Sequence, residues 1–245
     1  MDIILLDWTR MGSTYCVAGV VVQAGQTRVV RPLPARLRTA PARNVGWSAY
    51  LMDGHTRWEV FELVHPEPAA PQPPHGEDTW VHTLRPRRCL AGPAQRRAIL
   101  QATMAPAGRP FFGAPLTATQ AAAYLAPGTG ERSLAAVTVP ARDITFTASR
   151  REGAAEPDYR VTLNLPGLPG RTLPVKDHFL LQRAELASKD LDAQARALTL
   201  AVRQMGEEVA VRLGLSRAFQ ATPHRSEGLC WLMADGFFSL TDPQP

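Results

Sequence analysis

The stretch YCVAGVVVQAGQTRVVRP, Tyr15 to Pro32, decides the fold class of this chain. Residues 15–23 read as a strongly apolar strand, Ala24-Gly25-Gln26 as a tight turn, and residues 27–31 as the returning strand. On that return, Thr27, Val29 and Arg31 share one face, and Arg28 and Val30 the other. Upstream, Ile3-Ile4-Leu5-Leu6 forms a buried strand flanked by Asp2 and Asp7. A second set opens the same way further on, with Leu134–Val139, Asp143–Ala148, Tyr159–Leu165 and Thr172–Val175. The chain therefore reads as two similar β-rich halves. Small antiparallel barrels of this kind often bind oligonucleotides on one open face.

Between and around these strands the expected organisation is uneven. Residues 32–56 hold three prolines, three arginines and two glycines and read as a long functional loop. Residues 57–65 alternate as a strand, residues 66–76 (PEPAAPQPPHG) form a stiff extended connector, and a strand returns around Thr79–Leu84. Pro93–Thr103 is a helix with proline in its first turn, and Leu116–Leu125 a second, capped by Thr117 and ended by Pro127-Gly128. Phe179–Leu186 reads as a short helix. Leu191–Met205 is a longer one, with Leu191, Ala195, Leu198 and Val202 as its apolar stripe and Gly206 as its stop. Val209–Leu215 and Leu229–Leu240 close the chain as strands. The expected division is a first barrel over 1–90, a helical connector over 91–127, and a second barrel over 128–245 containing the helix 191–205.

Charge and cysteines narrow the function. The net charge is +5. Residues 1–110 carry 13 Arg against 8 acids, whereas residues 111–245 balance 14 bases with 14 acids, so the excess lies in the first half. Arg outnumbers Lys 25 to 2. Arginine is the better fork for phosphate and the better stacker on bases, although such a bias, with abundant Ala and Pro, also marks a GC-rich genome. Cys16, Cys89 and Cys230 are widely spaced and form no CxxC, which points to reduced thiols without metal. The N-terminus lacks the basic lead and apolar run of a signal peptide, and no stretch approaches the ~20 apolar residues of a membrane helix. The expectation is a soluble, cytoplasmic protein.

Cys16-Val17-Ala18-Gly19-Val20, the return Val29-Val30-Arg31-Pro32, and Trp58-Glu59-Val60-Phe61-Glu62-Leu63 carry a resemblance, together with Val211 to Phe219 and the closing strand Cys230 to Phe238. On these runs the chain resembles the dual OB-containing domain family of bacterial proteins, some of them associated with defence systems. The resemblance spans most of the chain. It implies two OB-like antiparallel β-barrels, mostly β with α insertions, and nucleic-acid binding. It supplies no catalytic residues, and the 66–76 proline run and the 32–56 loop depart from it as local elaborations.

An OB face holds single strands with stacking aromatics and phosphate-tracking cations. The candidates are Arg28, Arg31, Arg36, Arg38 and Arg43, with Trp47, Tyr50 and Arg57 close by in sequence. Arg31, between strand valines and Pro32, is expected to point out of the core, and Trp47 to lie accessible in its loop. Trp58 and Trp231 are expected in the cores. Farther on, Arg217 and Phe219 follow Gly214; they clamp a base, or Phe219 plugs the barrel end. His65, His75, His82 and Cys89 lack the close ligand pairs of a structural zinc site. No GxSxG, HExxH or P-loop occurs. Asp7 suits a metal-dependent nuclease, but no second acidic pair supports it. The expected function is a non-enzymatic binder of single-stranded DNA or RNA, without cofactor or metal and with nucleic acid as partner. The alternatives are a protein-interaction module, and a metal-dependent nuclease or nucleotide-processing enzyme.

Overall fold

The computed structural model describes residues 1–11, 14–23, 25–40, 45–70, 72–119, 122–154, 156–218 and 228–241. Strands take 47% of the chain and helices 20%, which makes the fold mostly β, with curled half-barrel sheets. The first half contains β1 (Asp2–Met11), β2 (Thr14–Gln23), β3 (Gln26–Pro34), β4 (Trp47–Ser48), a one-turn α1 (Ala49–Met52), β5 (Glu59–Val64), β6 (Glu67–Pro68), β7 (Asp78–Val81) and β8 (Thr83–Leu90). They form one sheet in the order β6-β7-β3-β2-β1-β5-β8, with β4 on β2. The hairpin register is as the Tyr15–Pro32 stretch reads, with Gly19 opposite Val30 and Gln23 opposite Gln26. β3 then pairs in parallel with β7, which sets Arg31 opposite Asp78.

Helix α2 (Pro93–Thr103) forms as expected, with proline at its start. The stretch 116–125 does not form a helix. It is β9 (Thr117–Ala118) and β10 (Ala123–Leu125), an antiparallel pair beside which the Thr119 N–H donates to the Ala122 carbonyl. Pairing of β10 with a neighbouring strand buries Ala123 and Leu125 instead.

The second half continues with β11 (Leu134–Pro140), β12 (Thr145–Ser149), β13 (Asp158–Leu165), β14 (Leu168–Pro174), α3 (His178–Ala187), α4 (Leu191–Arg203), β15 (Glu208–Leu215) and β16 (Cys230–Ser239). One sheet runs β11-β15-β16-β10-β9, and β12-β13-β14 makes another. α4 starts at an Asp190 cap, whose carboxylate accepts the Ala193 N–H, and buries Ala195, Leu198 and Val202. No helix among the described residues is long and apolar enough to cross a membrane.

Three apolar cores result. Ile3, Leu5, Trp8, Trp47 and Phe61 belong to the first half, and Phe146, Val161, Leu213 and Phe237 to the second. The third joins the halves through Ile4, Leu6 and Trp58 with α2, Ala210 and Phe238. Trp58 is fully buried, as expected of a core residue, and its ring meets Phe238 edge-on at 5.4 Å. Its φ of 65° is unusual for an aromatic residue. Both its backbone groups are bonded, the N–H to Leu5 and the carbonyl by Ala91. Trp231 is only half-buried and lies beside Tyr124, ring centroids 5.3 Å apart, so it is not a core residue.

Candidate ligand cavity at the junction of the halves

Two β-bulges aim polar side chains into the space between the halves. On β1, Leu5 faces Gly19 and Asp7 faces Ala18, so Leu6 is the extra residue. The bulge reverses the alternation. Ile3, Leu5 and then Trp8 enter the first-half core, while Asp7 and Thr9 turn to the opposite face. On β16, Gly236 faces Arg212 and Ala234 faces Leu213, which leaves Asp235 as the extra residue. Gly214 makes room for it, since a Cβ there would stand 1.7 Å from Asp235 Oδ2.

The backbone stitches the site together. The Arg10 N–H donates to the Lys176 carbonyl at 3.1 Å, and the Lys176 N–H to the Ala234 carbonyl at 2.9 Å. The segment 175–177 thus bridges β1 of the first half and β16 of the second. The cavity measures about 380 Å³, within the range of small-molecule sites. Asp7, Thr9, Cys16 and Arg31 line it from one half, and Tyr159, Lys176, Arg217 and Asp235 from the other.

Its buried end is ionic. Both oxygens of Asp7 accept from Arg212, Oδ2 from Nη2 at 2.7 Å and Oδ1 from Nε at 3.0 Å. Arg31 reaches Glu77 Oε1 at 3.0 Å, Asp78 Oδ1 at 2.9 Å and the Ser133 hydroxyl. Its Nη2 also donates to His75 Nδ1 at 2.9 Å. Burial, reinforced by Arg31 and Arg217, pushes the His75 imidazolium down to about 2, so the ring is neutral and accepts that bond. Asp235 is 3% exposed, and its Oδ1 has no hydrogen-bond partner among the described residues. Burial, and next the Asp7 charge, push its carboxyl up to about 7, against the pull of Arg31, Arg212 and the Thr9 side chain.

These shifts act on stability in opposite directions. Folded Asp235 keeps its proton up to about pH 7, whereas an unfolded Asp releases it near pH ~4. The native state binds the extra proton in that window, so stability falls as pH rises through it. His75 is neutral when folded and takes a proton below pH ~6.5 when unfolded, so its contribution falls as pH drops. Asp235→Asn removes the first slope alone. The melting temperature of Asp235→Asn relative to the native protein should rise by on the order of several degrees between pH ~4 and ~8. A difference independent of pH would count against the buried protonated carboxyl.

The residues singled out from the sequence are dispersed. Arg28, Arg36 and Arg38 are exposed on the first half, Arg38 pairing with Glu67 at 2.7 Å and lying 5.5 Å from the Trp80 ring. Tyr50 is 88% exposed on α1. Arg43 and Phe219 lie outside the described residues. Arg31 does not point outward, because parallel pairing with β7 supplies it with Glu77 and Asp78 inside the fold. Trp47 is not accessible for stacking. It is 1% exposed, and its Nε1 donates to the Pro32 carbonyl at 2.9 Å. Arg57 is also buried, paired with Asp177 and set over the Phe238 ring at 4.6 Å. Arg217 is half-buried, bonded to Asp78, and lines the cavity.

Sequence reasoning missed Asp235, Arg212 and Asp177. Their mark is visible in retrospect as a single charge inside an apolar run, VAVRLGL for Arg212 and LMADGFF for Asp235. Such a charge implies an internal partner. Among the described residues no group of three His, Cys, Asp or Glu side chains is placed to hold a metal ion. No protein-family model, no curated protein and no solved structure matches this chain.

Proposed function

We propose that this chain is a binding protein whose ligand occupies the cavity between its halves, and that the two curled sheets are OB-like barrels serving as its walls. The observation that carries this reading is the Asp235 carboxylate oxygen, buried on the wall of a ligand-sized cavity without a protein partner. An unsatisfied buried polar atom is costly and calls for a reason. A ligand group bonded to Oδ1 supplies one. Mixed apolar and polar walls with a few convergent polar groups suit the same reading.

A second reading places a single strand on the outside of the first half. Exposed Arg28, Arg36 and Arg38, together with the Tyr50 ring, favour it. One experiment separates the two. Ala218 is exposed and lines the cavity, so Ala218→Trp sets an indole at its rim. A panel of nucleoside monophosphates, amino acids and short single-stranded oligonucleotides is titrated against both proteins at two salt concentrations. Binding that drops at least tenfold in Ala218→Trp supports the cavity. Binding unaffected by that substitution, with log K falling against log salt at a slope of about −2 for three phosphates, overturns it in favour of the outer face.

A further inference from the structure

Building on that reading, we propose that the cavity receives a single nucleobase, with an N–H donor of its edge on Asp235 Oδ1 and its phosphate on Lys176.

The buried end of the cavity asks for a donor. Asp7 and Asp235 both face it, and Asp7 is saturated by Arg212, which leaves Asp235 Oδ1 as the open acceptor. An anion there would meet two carboxyl groups. The cations behind them are already engaged, Arg31 by Glu77 and Asp78 and Arg212 by Asp7. A free ammonium gains nothing either. Asp7 is already paired with Arg212, and the buried Asp235 carboxyl keeps its proton up to about pH 7, so neither supplies a counter-charge to offset the desolvation of a cation. The fitting group is therefore a neutral N–H on an apolar body. The remaining wall provides for such a body, with Ala18, Val45, Leu134, Leu215 and Met233 around it.

The outer end asks for the opposite. Arg10 is held by Glu156 at 3.0 Å and by Glu185 at 3.2 Å. Lys176 is half-buried, lines the same cavity, and has no ion pair among the described residues. A neutral donor ring at one end and an anion at the other describe a nucleoside monophosphate unit, whether free or part of a single strand. The base is then held at the junction of the halves and not on the open face of either barrel. Guanine is the probe of choice, because its edge carries two adjoining N–H donors, either of which can serve the single acceptor Asp235 Oδ1.

Calorimetric titration with GMP, guanosine, purine riboside 5′-monophosphate and a guanosine-containing six-nucleotide single strand tests the assignment. GMP is expected to bind at least tenfold more tightly than purine riboside 5′-monophosphate, whose base carries no N–H donor. Asp235→Leu, which removes the acceptor, should weaken GMP at least tenfold. Lys176→Met should bring GMP to the affinity of guanosine and leave guanosine unchanged, a pattern that general loss of structure would not produce. Binding of GMP alone assigns a free nucleotide, and binding of the hexamer with the same Asp235 dependence assigns a strand. Equal affinity for GMP and purine riboside 5′-monophosphate, or indifference to Asp235→Leu, overturns the proposal. If instead an amino acid binds and Ala218→Trp abolishes it, the cavity reading stands and the nucleobase is wrong. Nucleotide binding that survives Ala218→Trp refutes both.

Discussion

Replacing Arg212 by methionine is expected to cost about 3–5 kcal/mol of folding stability, the range for breaking a buried ion pair from one side. Arg212 is fully buried, and it is the partner of both oxygens of a nearly inaccessible Asp7. The Met chain fills much the same volume, so the loss comes from the carboxylate left behind and not from a cavity. That amount is a large share of the 5–15 kcal/mol typical of a folded domain. Urea unfolding followed by circular dichroism reads it. The pair substitution Asp7→Leu with Arg212→Met should recover most of the loss, because two apolar groups replace two charges. A single variant that loses under 1 kcal/mol, or a double variant worse than the single, would show that the pair is not what holds β1 to β15.

The second large effect is expected at Asp177. Its Oδ1 accepts from Arg57 and from the Leu180 N–H at 3.0 Å, capping α3, and its Oδ2 accepts the Phe237 N–H at 3.2 Å. One carboxylate thus starts a helix, fixes β16 and neutralises a cation from the first half. Asp177→Ala leaves Arg57 buried between aromatic rings without its counter-charge and two N–H groups without acceptors. About 3–5 kcal/mol is expected, of which the lost cap supplies ~1 kcal/mol. Asp177→Asn keeps the shape and one acceptor oxygen and should fall between alanine and the native residue. The same denaturant titration ranks the three proteins. Equal stability of the asparagine and alanine variants would remove the charge from the explanation.

The parts legible in the sequence were those set by local rules. The Gly25 turn fixes the β2–β3 register, Pro93 starts α2, and the Asp190 cap and apolar stripe define α4. The parts that were not legible depend on residues far apart in the chain. An arginine in a strand normally faces water, and the sequence around Arg31 reads that way. A parallel partner strand more than forty residues on supplies its two carboxylates. Residues 116–125 carry helix formers, but a free edge on β16 claims them as strand. The candidate site was invisible for a further reason. The two acids at its buried end, Asp7 and Asp235, are aimed by bulges, and a bulge is a one-residue shift between strands that alternation within either strand does not reveal.

Asp7 and its partner Arg212 lie 205 residues apart. At a synthesis rate of ~5–20 residues per second, β1 exists for about 10–40 s before Arg212 is made. Through that interval the strand cannot bury Asp7 at its native position without an isolated charge, so the completed first half is held open to solvent on the very face that later closes the cavity. The junction cannot close on an unfinished chain, and whatever the cavity binds can be enclosed only once both halves are present.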